Sequence, residues 1–425
     1  MATKSRSRLG SRFGIALAIV ALGLVTLFFV LPEIVRRRAI SDAAARGIQL
    51  TVAKARLSLL GVRLFGLEAR HEKIPGAVAK AEEANVDLAG FSAAAIHLHG
   101  LDVTVPDLLV AANELESARG AGPAGGDLRR VTFANALVHL ARFAGASTSL
   151  EVEGVSGELL STPALGDEAH LGAEKITGSL GASPFGPWRT TFDRTRDTMT
   201  LRVMLDPSKP QVPQVILARG AGKENLDVKI PRTHLKSLGL PFSAFGLTAE
   251  DDPEIEVDAS ALTTSPAPGT SGASAPSAAP GTAAPETEGA LVFQSWGVHV
   301  GRFSSALDVK IGGKWKGQGD RASIQDGIVA VGPFGGTLGG TVRGIPPRLD
   351  FTFESTPIPC TELGSGTAAS QPNLAGPLGL LGSVLGNKAL TGTATLTGAL
   401  VFDLANPAEN RLTLKPSADC SFTLR

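Results

Sequence analysis

Gly120, Gly122 and Gly125 satisfy G-x-G-x-x-G, the spacing with which a dinucleotide loop brings backbone N–H groups onto a pyrophosphate. That chemistry needs a strand before the glycines and a helix after them. Here the preceding stretch, Asp107 to Arg119, has a helical pattern, and Pro123 with Gly126 makes a slack loop. Gly222-Lys223 and Gly313-Lys314 lack both the upstream glycine of a phosphate loop and a Ser or Thr after the lysine. H-E-x-x-H and G-x-S-x-G do not occur. No cofactor is therefore expected.

His97 and His99 lie two apart on one strand face, where two imidazoles could share a metal; no third ligand stands at useful spacing, so they read as a wet-face pair. His139 and His299 recur with the same Arg and Phe neighbours, which favours a structural contact over catalysis. Asp252, Glu254, Glu256 and Asp258 form an acidic stripe that reads as a solvated strand face. Cys360 and Cys420 are the only cysteines. They would pair in an oxidising compartment, and two buried thiols are the alternative. Catalytic, cofactor-binding and metal-ligating residues: none is expected, and the chain reads as no enzyme.

The elements that would carry these residues begin with a greasy run. Phe13 to Leu31 spans 19 residues without a charge, about 28 Å as a helix, close to a bilayer's hydrocarbon thickness. A secretory signal would have a shorter apolar core and a small-residue cleavage site, whereas Pro32-Glu33-Ile34-Val35 and Arg36-Arg37-Arg38 follow. The expectation is an uncleaved transmembrane helix over 13–31 with a cytoplasmic tail over 1–12. Four basic residues flank each side, so orientation is taken from the short leading tail and the cysteines: single-pass in the inner membrane, bulk in the periplasm.

Beyond a short helix ending at Gly47, the pattern is of strands. Met199, Leu201, Val203 and Leu205 share one face; Ile255, Val257 and Ala259 alternate with Glu254, Glu256 and Asp258. Leu307, Val309 and Ile311 alternate with Asp308 and Lys310, and Leu349, Phe351 and Phe353 with Asp350, Thr352 and Glu354. Period-2 patterning with one polar face predicts mainly β structure, as antiparallel, folded or groove-forming sheet modules with a few short helices. The 40 basic and 40 acidic residues cancel, and no basic patch appears beyond the first forty residues, so no nucleic-acid partner is expected.

Thr263 to Glu288 is built from Ala, Pro, Ser, Thr and Gly and reads as a disordered linker. An internal duplication flanks it. Val138-His139-Leu140-Ala141-Arg142-Phe143 recurs as Val298-His299-Val300-Gly301-Arg302-Phe303. Gly166-Asp167-Glu168-Ala169 recurs as Gly319-Asp320-Arg321-Ala322, and Pro184-Phe185-Gly186 as Pro333-Phe334-Gly335. The order is kept, while the offset falls from 160 to 153 to 149. The organisation read from this is an N-terminal β region over 48–128, one β module over 129–262 and its copy over 289–425. Shared strand-and-turn vocabulary is the alternative.

An anchor, a short helix and Gly-punctuated strands, carried by Gly47-Ile48-Gln49-Leu50-Thr51-Val52 and Ala55 to Leu64 and continued by Ala77 to Leu88 and Ile96 to Val105, resemble the AsmA-like envelope proteins. The resemblance covers about the first hundred residues. It implies a long folded sheet with an apolar inner face, standing in the periplasm, with a role in envelope assembly or phospholipid handling. About 18–20 strands would give a sheet roughly 90 Å long. The layout is also similar to the β region ahead of some peptidoglycan transglycosylase domains, although that class's E-D-x-x-F-x-x-H and G-x-S-T-I-x-Q-Q motifs are absent. It is similar, too, to the N-protein of type II secretion. Those likenesses imply a scaffold or partner-binding region for cell-wall synthesis or secretion proteins.

Overall fold

The structure is a computed structural model that describes residues 30–45, 47–58, 61–89, 92–107, 110–111, 130–142, 148–162, 166–206, 208–209, 211–240, 252–264, 284–298, 307–344, 348–361, 390–403 and 406–422. Strands dominate them, as the period-2 patterning predicts. The transmembrane part of the expected fold is corrected: among the described residues no helix is long and apolar enough to cross a membrane. Residues 13–29 of the expected span lie outside the described residues. The helix that takes up Val30 and Leu31, α1 (30–44), runs on through Glu33 and Arg36-Arg37-Arg38, and those charges make it an amphipathic surface helix. The few short helices expected elsewhere reduce, among the described residues, to isolated turns.

The chain divides into two compact units, Met1–Leu140 with Glu153–Leu171, and Ala141–Val152 with Gly172–Arg425. In the first, α1 precedes β1 (Ile48–Leu57), β2 (Gly61–His71), β3 (Val78–Ala89), β4 (Ser92–His99), β5 (Asp102–Val105) and β6 (Arg130–Leu140). Strands β1 to β4 pair antiparallel in succession, and β3 also takes β5. The sequence pattern runs β4 and β5 together as Ile96 to Val105; Gly100, at φ 60°, turns the chain between them. Both pair parallel with β6, against the expected antiparallel sheet. A parallel neighbour needs a crossover of about a dozen residues or more, and residues 106–129 supply the length. The helix expected over Asp107 to Arg119 is described only at Val110 and Ala111, where the Asp107 carboxylate accepts the Val110 N–H at 3.2 Å.

Val52, Val62, Leu64, Ala84 and Val86 form this unit's core, and Val35 and Ile40 of α1 pack on it. Alternation puts those strand residues on one face, and the apolar stripe of α1 covers it. Arg36 donates to the Val52 carbonyl at 3.3 Å, tying α1 to β1. Glu33 accepts from both Arg36 and Arg37 at 2.8 Å.

Strands β7 (Thr148–Thr162) and β8 (Gly166–Leu180) contribute to both units. The second unit continues with β9 (Ser183–Arg194), β10 (Thr198–Met204), β11 (Val215–Gly220), β12 (Lys223–His234) and a 3-10 turn, Leu235–Leu238. Then come β13 (Glu254–Thr264), β14 (Glu286–Val298), β15 (Leu307–Gln318), β16 (Arg321–Val331), β17 (Phe334–Arg343), β18 (Arg348–Ser355) and β19 (Ile358–Pro359). It closes with β20 (Leu390–Thr391), β21 (Thr393–Asp403), a 3-10 turn Pro407–Glu409, β22 (Arg411–Ala418) and β23 (Ser421–Phe422). From β9 to β18 each strand pairs antiparallel with the next. Strand β18 then pairs with β21, and β21 with β22.

The segment read as a linker is strand at both ends: Thr263 pairs with Thr287 and Thr264 with Glu286. The two threonine hydroxyls meet at 3.0 Å. Threonine's β-branch favours extended backbone, which composition alone conceals. Residues 265–283 of that segment lie outside the described residues. The duplicated peptides Pro184-Phe185 and Pro333-Phe334 each sit where a strand starts, after Gly181 and Gly332 at φ 60° and 55°. Gly186 also makes a close backbone contact, for its carbonyl lies 2.3 Å from where a Cβ on Gly239 would stand. Only glycine at 239, which also holds φ 59°, permits that approach.

The Glu33 pairs set a pH response. Hydrogen bonds from Arg36 and then Arg37 lower its carboxyl from 4.5 to about 2. A depressed carboxylate stabilises the fold above its unfolded pKa, and that contribution fades as pH falls from the unfolded value through about 2. We expect the Glu33 side-chain carbonyl resonance to titrate near 2 by NMR; a midpoint at the ordinary glutamate value of ~4.3 contradicts the paired geometry.

Candidate functional site: an apolar groove

A candidate ligand site in the second unit is built by strand alternation. Ile255 and Val257 of β13, Phe293 of β14, Val309 and Ile311 of β15, Val329 and Val331 of β16, Leu338 of β17, Phe351 and Phe353 of β18, Leu400 of β21, and Leu412 and Leu414 of β22 all line one cavity of about 340 Å³. Ile230 of β12, with Leu235, Leu240 and Pro253, completes one end. Cross-strand register explains the convergence. Ile230, Val257, Phe293, Ile311 and Val329 stand opposite one another in one row, and Leu338, Phe353, Gly398 and Leu414 in another.

Nine strands contribute, and laid flat at ~4.8 Å spacing they would extend roughly 38 Å. One cavity of this volume touches all nine only because the sheet curls. The cause of the curl is visible in the register. Bulges fall at Ile230/Thr233, Ser295/Val298, Gly312/Lys314 and Ser323/Gly327, and a bulge bends its strand. Each has a local reason. Pro231 has no N–H for the ladder, Gly297 holds φ 76°, and the last two shifts are one bulge of β16 seen from both neighbours, at Asp326 with φ 51°. On the far wall, a Cβ at Gly398 would stand 2.7 Å from the Leu414 side chain.

Val329, Val331, Leu338 and Phe353 of the lining form a buried cluster with Phe334, Ile358, Ala394 and Leu396, and Val309, Ile311, Phe351 and Leu414 pack against it. A second cluster, Leu205, Ile230, Leu235, Leu238 and Ile255, closes the end where the Trp188 Nε1–H donates to the Leu238 carbonyl at 2.7 Å. Of the 21 lining residues only Ser295 and Thr352 have polar side chains. The Ser295 hydroxyl donates to the Glu254 carbonyl at 3.2 Å. Thr352 has the parity of the opposite face. The charges lie on the outside, where Asp350 accepts from Arg343 at 2.7 Å and from Arg348 at 3.3 Å. Those bonds, Arg343 foremost, hold the Asp350 carboxyl below the usual range.

The residues singled out from sequence sit elsewhere. Gly120, Gly122, Gly125 and His299 lie outside the described residues. Gly222-Lys223 makes the hairpin turn between β11 and β12, with Ala221 and Gly222 at positive φ. His97 and His99 share a strand, but the His97 ring nitrogens reach the Thr132 hydroxyl at 2.6 Å and Asp87 at 3.3 Å. His139 stands 3.9 Å from Asp102. In the acidic stripe, Asp252 accepts the Lys236 N–H at 2.8 Å and Glu254 accepts from Arg232, which also lies over the Trp296 ring. No group of three potential metal ligands occurs among the described residues.

Cys360 and Cys420 are joined in a disulfide with Cα atoms 5.7 Å apart. Cys360 is fully buried and follows β19, whereas Cys420 follows β22, a wall of the groove. Comparison of the chain with protein-family models, with curated proteins and with solved structures gives no match.

The bond spans 60 residues, and a loop of that length is worth about 4 kcal/mol in the chain-entropy account. Replacing both cysteines by alanine should lower the unfolding free energy of the second unit by about that amount in a denaturant titration. A loss under ~1 kcal/mol would mean the bond does not hold the wall.

Proposed function

We propose that the chain is a non-catalytic, AsmA-like protein of the cell envelope that handles lipid by holding its hydrocarbon in the groove of the second unit. The observation that carries the reading is an apolar cavity of about 340 Å³ whose lining offers no charged side chain among the described residues. That volume falls within the ~300–1,000 Å³ of small-molecule sites. The usual few convergent polar groups of such sites are missing, so a substrate held for chemistry finds nothing to orient it. A hydrocarbon needs none. The disulfide supports a place outside the reducing cytosol, and the early strands supply the family resemblance.

The test is extraction of the full chain, purified without added lipid, followed by mass spectrometry. Phospholipid or fatty acid should co-purify at about one acyl-bearing molecule per chain, and an Ile311→Asp variant, which sets a charge among Phe293, Val329 and Phe353, should lose it while keeping its β circular dichroism. Absence of bound lipid from the unaltered chain, with direct titration also negative, would overturn the proposal.

A further inference from the structure

The sheet face opposite the groove carries an inference that is independent of what the groove holds. We propose that β13, β14 and β15 present a self-complementary plate on which a second copy of this chain docks, face to face, about a two-fold axis running along β14.

Alternation fixes which side chains stand on that face. Val257, Phe293, Val309 and Ile311 line the groove, so Glu256 and Asp258, Val292 and Gln294, and Lys310 and Gly312 belong to the other side. The ladder is regular here: β13 pairs with β14 from Glu254 to Thr264 without a shift, and β14 with β15 from Glu286 to Ser295. Lys314 and Lys316 therefore keep the parity of Lys310. Strand β13 carries exposed Glu256 and Asp258, and β15 carries exposed Lys310, Lys314 and Lys316. Between them Val292 of β14 is 43% exposed. Ile328 of β16 is 55% exposed and leans over the bare backbone of Gly312, where a Cβ would stand 3.3 Å from its Cγ1. Val292, Gly312 and Ile328 make an apolar centre, with acids beside it on β13 and lysines above and below it on β15.

The order of the charges selects both the occupant and its orientation. Rotation about an axis along β14 lays β13 of each copy on β15 of the other. Glu256 then meets the partner's Lys310, because both stand in the row of Gln294. Asp258 comes between the partner's Lys310 and the partner's Lys314, and Val292 meets the partner's Val292 on the axis. Ile328 comes over the partner's Lys229, whose methylene stem is apolar, since both share the row of Gly312. Glu288 meets its own copy, with Lys316 of each chain beside it. An axis across the strands would instead stack acids on acids and lysines on lysines. A closed dimer needs a patch of the first kind, one that complements itself. Five strands, β12 to β16, over ten residues offer roughly 600 Å², somewhat below the ~800 Å² per partner of a standard interface. A reversible, micromolar dimer is the expectation.

The test uses the full chain. Its two native cysteines are bonded to each other, so Val292→Cys adds the one reactive thiol, and oxidation with copper–phenanthroline should link two chains through it. Thr341→Cys, on the same face but three strands away on β17, should not self-link, since its copies would lie roughly 29 Å apart. By sedimentation, Glu256→Lys and Lys310→Glu should each weaken self-association about tenfold or more. A one-to-one mixture of those two variants should associate like the unaltered chain, because every 256–310 contact in the mixed pair joins opposite charges. The dimer is overturned by an unaltered chain that stays monomeric through the high-micromolar range, by failure of the Val292→Cys link, or by a mixture that does not recover. Association indifferent to both charge reversals assigns self-contact to another surface and overturns it as well. A link in cells from the new thiol to a different protein, in place of a second copy, would give the plate another partner and likewise end the proposal.

Discussion

A strand presents successive side chains to opposite faces, and in this protein one of those faces has to leave water. Everything else is a solution to that constraint. In the first unit the apolar faces of β1 to β3 are covered by α1, with Val35 and Ile40 packed on the cluster around Val62. The second unit bends its sheet until Val257 and Phe293 on one side and Phe351 and Leu414 on the other border a common space. Valine, isoleucine and leucine are too short to fill that space from the walls. What remains is an apolar groove, the space in which the proposed lipid would lie.

The curl has a chemical origin in the backbone. A regular ladder from β12 to β22 would give a twisted open sheet with an exposed apolar face, prone to associate with other molecules. Pro231, Gly297 and the left-handed Asp326 interrupt it in three strands, and each interruption bends a strand. The disulfide from buried Cys360 to Cys420 then ties the far end of the last wall to the end of β19. Outside, ion pairs such as Arg343 with Asp350 keep the opposite face hydrated. The side chains with polar chemistry are thus spent on the outer surface, where they fix the sheet and leave the groove hydrocarbon.

Part of this is legible in the residues. The alternations at Ile255 and Val257, Val309 and Ile311, and Phe351 and Phe353 identify much of the lining, since, Gly312 after Ile311 aside, their neighbours are charged or hydroxylated. Val329 and Val331 lie in a run with Ile328 and Ala330 where both faces look apolar, and Leu338 stands alone among glycines, so period-2 contrast vanishes. The bulges stay hidden because one added residue changes register without changing composition. Composition also misleads at the chain ends of β13 and β14, where threonines counted as linker are paired strand. The helix expected from the apolar run over 13–31 draws on hydropathy alone. The separate short helix expected to end at Gly47 is α1, which begins two residues inside the apolar run and carries Glu33 and the arginines. The His97 and His99 spacing matches a ligand pair, but His97 is engaged by Thr132 and Asp87, and the Gly120 to Gly125 motif lies outside the described residues.

The most direct test of the groove is diffraction from crystals of the full chain grown with a bromine-terminated fatty acid. Anomalous signal should appear inside the groove, among lining residues such as Ile255 and Phe293. A groove filled by the protein's own side chains, or bromine scattered over the outer face of the sheet, would contradict the proposed role.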